Sequence, residues 1–180
     1  YIDVLSFNEE NPEILFILGK ISNILKDYKS SEEFFIESQQ CGLENKELFF
    51  ELGLAYGAQK KYLQALTSFK ESLIYAIDDP ILHYQLGVVY YELDLYELAI
   101  NEYYIYLNTY DNDAVVYRMI GEAYLAMDQH EKSIPYFQKS SQFFNYKDTN
   151  SFYNLGIAYL SIQDEWNAAK YFKNVIKLNP

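Results

Sequence analysis

Cysteine is almost missing from these 180 residues: Cys41 stands alone, so no internal disulfide can form. Histidine is as scarce. With only His83 and His130 beside that thiol, no metal-ligand set of the usual spacing can be assembled, which excludes a zinc scaffold. Basic charge is short too, 14 Lys and Arg against 26 Asp and Glu for a net charge of −12. That is the wrong balance for neutralising phosphates, and nucleic acid is not an expected partner. Long apolar runs are lacking; Ile14-Leu15-Phe16-Ile17-Leu18 stops after a few positions, well short of the roughly 18 residues of a membrane-spanning helix. Membrane insertion is therefore not expected. Only 4 Pro interrupt a chain that is 50% hydrophobic and holds 20 Tyr and 12 Phe, enough to bury a substantial core. The sequence begins at Tyr1, not Met, and reads as a piece of something longer; its compartment stays open, with the cytoplasm as the default expectation.

What is present is periodic. Five of the seven glycines, Gly19, Gly53, Gly87, Gly121 and Gly156, follow one another at intervals of 34, 34, 34 and 35. Leu18, Leu52, Leu86, Ile120 and Leu155 precede them, and Leu15, Phe49, His83, Tyr117 and Phe152 stand four before. The spacings of 3 and 4 mark one buried face of an amphipathic helix. Twelve after each glycine comes Ser31, Ala65, Ala99, Ser133 or Ala168, and sixteen after it Phe35, Phe69, Tyr103, Phe137 or Phe172. This small-then-large pair predicts a second helix whose small member lets backbones approach and whose ring fills the space between units. A glycine inside a helix costs about 1 kcal/mol relative to alanine, so five at one register imply a close approach that leaves no room for a Cβ.

Punctuation agrees. Asn11-Pro12 and Asp79-Pro80 each place a capping side chain before a proline in the first helical turn, and Asn45 and Asp113 cap further first helices. Short polar turns holding Asp27, Lys60-Lys61, Asp94, Asp128-Gln129 or Asp164 predict antiparallel helical hairpins. Pro135 should bend a helix without ending it.

These residues resemble the tetratricopeptide repeat, whose 34-residue unit carries a Leu-Gly, a following Tyr (here Tyr56, Tyr90, Tyr124 and Tyr159, with Ser22 in the first unit), then a small residue and an aromatic. Tyr28, Tyr62 and Tyr96 match its turn aromatic, where the later units have His130 and Glu165; its usual first-helix Trp is never present, and its closing Pro appears only as Pro180. The resemblance implies an all-α, right-handed α-solenoid of five helix-turn-helix repeats, over 12–45, 46–79, 80–113, 114–148 and 149–180. Residues 1–11, with Tyr1, Val4 and Phe7 on one face, read as the end of a preceding repeat. Without a polar capping helix after Pro180, Phe172, Val175 and Ile176 are expected to be partly bare, which predicts self-association through that end or a continuing chain.

In the resembling family the first helices supply a concave groove. Its registers fall on Phe16, Lys20, Phe50, Leu54, Tyr84, Val88, Tyr91, Arg118, Glu122, Tyr153 and Ile157, with Leu125 and Leu160 extending the set. The implied function is a noncatalytic scaffold that binds a peptide or partner-protein segment, with no cofactor. The alternative is the substrate-recruiting region of a larger enzyme or regulatory protein whose catalytic domain lies outside these residues. The family's grip on acidic chaperone tails needs Lys, Arg and Asn where this chain has Phe16, Lys20, Ile81 and Gln85, and it is not expected here. From Glu71 to Tyr117 there are nine acids and no Lys or Arg. The expected partner therefore carries apolar or aromatic anchors beside basic residues. His83, His130 and Cys41 read as structural residues, with no base near the thiol.

Overall fold

A computed structural model describes residues 11–143 and 148–178. The expected helix over residues 1–11 therefore lies, but for Asn11, outside the described residues. Ten helices occur among those residues and no strand: α1 (Pro12–Ile24), α2 (Tyr28–Gln40), α3 (Lys46–Ala58), α4 (Tyr62–Tyr75), α5 (Pro80–Glu92), α6 (Tyr96–Leu107), α7 (Ala114–Ala126), α8 (His130–Phe143), α9 (Thr149–Ser161) and α10 (Glu165–Leu178). This is an all-α helical-repeat fold of the solenoid class. The chain divides into two compact units, the first ending at Leu93 and the second starting at Asp94. In the first, α1 pairs with α2 and α3 with α4, while α2 packs on α3 and α4 on α5. In the second, α6 packs on α7, and the hairpins α7–α8 and α9–α10 meet through α8 and α9.

The caps form as their side chains dictate. Asn11 accepts from the amides of Glu13 (2.9 Å) and Ile14 (3.2 Å), Asn45 from Leu48 (2.8 Å), Asp79 from Ile81 (2.8 Å) and Asp113 from Val115 (2.9 Å). Asp148 does the same for α9, accepting from Asn150 at 3.1 Å. At the other end of each first helix, Lys26, Lys60, Asp94, Asp128 and Gln163 adopt left-handed backbone with φ of 62°, 59°, 59°, 58° and 62°. Each stands seven residues after its repeat glycine. The surrounding bonds form the Schellman pattern: the Lys26 amide donates to Asn23 O at 3.0 Å and the Asp27 amide to Ser22 O at 2.9 Å. The hairpin is thus closed by backbone geometry, using residues other than the glycine that this conformation favours.

Four of the repeat glycines lie under rings of their own hairpins. A Cβ at Gly19 would stand 2.4 Å from Phe35, at Gly53 2.6 Å from Phe69, at Gly121 2.8 Å from Phe137 and at Gly156 2.5 Å from Phe172. Gly87 differs from these four in its setting. It is buried in α5 at the same register, but α5 closes the first unit, and Tyr103, the ring sixteen residues on, is buried in α6 of the second. The ring-over-glycine explanation is therefore drawn from Gly19, Gly53, Gly121 and Gly156, and Gly87 shares with them its burial and its place in the helix. The same rings reach the next first helix, since Phe35 clusters with Leu48 and Leu52, and Phe137 with Phe152 and Leu155. Each of these two rings fixes both its hairpin and the successor, the first contact being one the spacing argument had assigned to a neighbouring helix in general terms. Buried serines complete the seam: Ser38 Oγ donates to Pro12 O at 2.6 Å and Ser72 Oγ to Lys46 O at 2.8 Å, meeting carbonyls of the first turn. α8 continues through Pro135. His83 is buried, its Nε2 3.2 Å from Ile77 O, and Cys41 is a half-buried C-cap of α2.

Candidate functional site

The expected groove registers fall on α1, α3 and α5 in the first unit and on α7 and α9 in the second. In three repeats the aromatic side chain three before the glycine sits on the ring sixteen after it: Phe16 on the buried Phe35 with centroids 5.7 Å apart, Phe50 on the buried Phe69 at 5.9 Å and Tyr153 on the half-buried Phe172 at 5.9 Å. The tilts of 45°, 58° and 63° leave one ring face or edge outward. Phe16, Phe50, Leu54, Tyr84, Val88, Tyr91 and Ile157 are half-buried, whereas Tyr153 is 52% exposed. Phe16, Phe50 and Tyr153 thus rest on a second ring while staying partly exposed, so they are held in place before any partner arrives.

The polar registers are less free than their sequence positions indicate. Lys20 is exposed beside Phe16, its Nζ 5.5 Å from the ring centroid. Arg118 is paired with Glu122 at 2.8 Å, and Asn154 of α9 donates to the same carboxylate at 3.3 Å. In the first unit Glu51 receives two bonds from Asn23 Nδ2, to its carboxylate at 3.0 Å and its carbonyl at 3.3 Å, while Ser31 donates to Asn23 Oδ1 at 2.7 Å. Two turns of adjacent first helices are tied together in this way in each unit.

The acidic stretch is also partly committed. Asp79 caps α5 and pairs with Lys46; Asp113 caps α7 and accepts from the Tyr106 hydroxyl at 2.8 Å; Asp94 accepts from Tyr96 at 2.6 Å. Burial opposes ionisation of Asp79, but Lys46 and the Ile81 and Leu82 amides hold its carboxyl below the usual value. Glu92 has another use. It accepts from the Tyr62 hydroxyl, raising that phenol above its ordinary value, with burial and the charge itself adding to the effect.

A recess of about 300 Å³ opens beside this pair, lined by residues of α3, α4 and α5 that include Leu54, Gly57, Gln85, Val88 and Glu92. Leu54 and Val88 were expected there. Gln85 stands at the groove register two before its glycine; Gly57 and Glu92 were not expected, although Gly57 is the one first-helix glycine outside the repeat register, a signal visible in the sequence. At the C-terminal end, where partly bare residues were expected, Phe172 and Val175 are half-buried, the first over Gly156 and the second against the Phe137 cluster, and Ile176 is 67% exposed. Among the described residues no group of three or more His, Cys, Asp or Glu is placed to hold a metal ion, and no helix is long and apolar enough to cross a membrane.

Residues 114–142 and 149–180 match the family model of the tetratricopeptide repeat. No curated protein matches the sequence. Among solved structures, MamA from Desulfovibrio magneticus RS-1 is 21% identical over 93% of this chain and 94% of that one, with a TM-score of 0.86. YrrB, described as a TPR protein with an unusual peptide-binding site, is 17% identical over 96% of this chain and 89% of that one, with a TM-score of 0.81. At these identities the likeness is one of fold. The family model covers α7 to α10, and the same glycine, cap and left-handed turn registers run back through α1 to α5, so the whole chain is similar to the tetratricopeptide repeat.

Proposed function

We propose that the chain is a noncatalytic scaffold that holds a peptide or partner-protein segment against its first helices, with repeats at 12–45, 46–79, 80–113, 114–148 and 149–180. The observation that carries this reading is the recurring tilted contact of a partly exposed groove aromatic with the ring sixteen after the repeat glycine, at Phe16, Phe50 and Tyr153. These rings keep apolar surface available without leaving it loose, the property of an anchor for another chain. The peptide-binding description of YrrB, a fold relative, supports the same reading. The partner is a segment with apolar or aromatic anchors beside basic residues, because the stretch from Glu71 to Tyr117 holds nine acids and no Lys or Arg.

The test uses a phage-displayed random dodecapeptide library panned on the chain, with an enriched peptide then titrated by fluorescence anisotropy. Phe50→Ala and Tyr84→Ala should each weaken binding by about tenfold or more, while Leu63→Ala, on the exposed side of α4, should leave it unchanged. Equal affinity for all three variants would remove the groove. The proposal extends to self-association through the outer side of α10, where Trp166 and Ile176 are open; a single unchanging sedimentation coefficient at rising concentration would remove that part.

A further inference from the structure

The last turn of α3 differs from its counterparts. Four residues after the repeat glycine the first helices carry Asn23, Gly57, Tyr91, Leu125 and Leu160, so only the second repeat has no side chain at this groove register. A Cβ placed on Gly57 would meet nothing within 4 Å. Gly57 therefore has no packing reason to be glycine, unlike Gly53 one turn earlier, which lies under Phe69. Its missing side chain leaves the floor of the recess of about 300 Å³ open. Leu54 and Val88 supply apolar walls, and Gln85, Glu92 and the Tyr62 hydroxyl give it a polar edge, with no lysine or arginine among the lining residues.

We propose that this recess is a specificity pocket for a lysine side chain of the bound peptide, its methylene stem lying between Leu54 and Val88 and its ammonium donating to Glu92 and Gln85 Oε1. The proposal rests on the groove reading above and names the residue that reading leaves open. An aliphatic stem with a charged tip needs this sequence of surfaces, apolar first and acceptor at the edge. The single carboxylate distinguishes lysine from arginine. A planar guanidinium fork is matched to one two-oxygen carboxylate edge, whereas a compact ammonium with rotatable donors can divide itself between Glu92 and Gln85 Oε1, which line the recess together. A purely apolar side chain would bring no donor to Glu92 and Gln85.

The experiment pans a random dodecapeptide library on the full chain and titrates an enriched peptide against wild type, Gly57→Leu, Glu92→Gln and Phe16→Ala, whose ring belongs to the groove of α1. Enriched sequences should share a lysine. Gly57→Leu, which fills the floor and improves helix propensity, should weaken binding by about tenfold or more with no loss of thermal stability. Glu92→Gln should cost about three- to tenfold, and norleucine in place of the peptide's lysine should cost a similar factor on wild type and nothing further on Glu92→Gln. Norleucine or arginine binding as tightly as lysine would overturn the assignment. So would peptides that lose affinity on Phe16→Ala yet bind Gly57→Leu normally, an outcome that leaves the groove reading standing. No enrichment at all, or binding indifferent to every variant, would remove the groove and this pocket together.

Discussion

Gly53 and Gly57 sit one turn apart on α3, and the same substitution at each should act in opposite directions. An alanine Cβ at Gly53 would stand 2.6, 2.7 and 2.9 Å from three atoms of the Phe69 ring, where ordinary carbon contacts lie at about 3.5–4.0 Å. Phe69 is only 1% exposed, so the ring has no room to retreat without opening the α3–α4 hairpin or displacing Phe50. Overpacking of this kind costs about 1–3 kcal/mol. Both substitutions gain the same helix propensity, about 1 kcal/mol, and at Gly57 nothing opposes it. The difference between the two variants thus isolates the clash, and it should appear as a gap of roughly 2–12 °C between their thermal midpoints by circular dichroism. Because both lie in one helix, they report on the same unfolding step even if an array unfolds hairpin by hairpin. A second substitution, Phe69→Leu, should make Gly53→Ala less harmful than it is alone, a positive coupling that confirms the ring as the obstacle. Equal midpoints for Gly53→Ala and Gly57→Ala would refute the explanation of the repeat glycines.

Left-handed backbone at Lys26 and Gln163 is strained for any residue with a Cβ, so Lys26→Gly and Gln163→Gly should each stabilise by about 1 kcal/mol, and the two effects should add, as read from urea midpoints. Acid should weaken the first unit through Asp79. Its folded carboxyl titrates below the ordinary 3.8, so its contribution is fully present above that value and is lost as pH falls through the depressed one. Asp79→Asn should accordingly be less stable at pH 7 and show a shallower loss between about pH 4 and 2; an unchanged acid limb would rule out the Lys46–Asp79 pair as its source.

The parts of this fold that the sequence reveals are those set by one residue type at one place. A glycine under a ring, a capping Asn11 or Asp79 and a Pro at the first helical position each have a single physical cause that recurs along the chain. The left-handed turn residues were hidden because Lys, Asp and Gln occupy a site that glycine usually marks, and of these only Asp94 and Asp128 belong to a type that favours positive φ. Arg118 shows the opposite case. Its partner Glu122 lies four residues on, a spacing that already predicts a helical ion pair, so its charge was never wholly available to a groove. The tie from Asn23 to Glu51 joins residues 28 apart, and only packing of α1 on α3 brings them together. The contact of groove rings with the second-helix rings likewise depends on how each hairpin closes, which periodicity alone does not contain.

The most direct test of the interaction surface is to map an enriched dodecapeptide onto the isotope-labelled chain by amide chemical-shift perturbation. The account predicts that shifts concentrate on first-helix positions such as Phe50, Leu54, Gly57 and Val88. Shifts centred instead on Ile36, Thr67 and Tyr75, which line a separate cleft between α2 and α4, would contradict it.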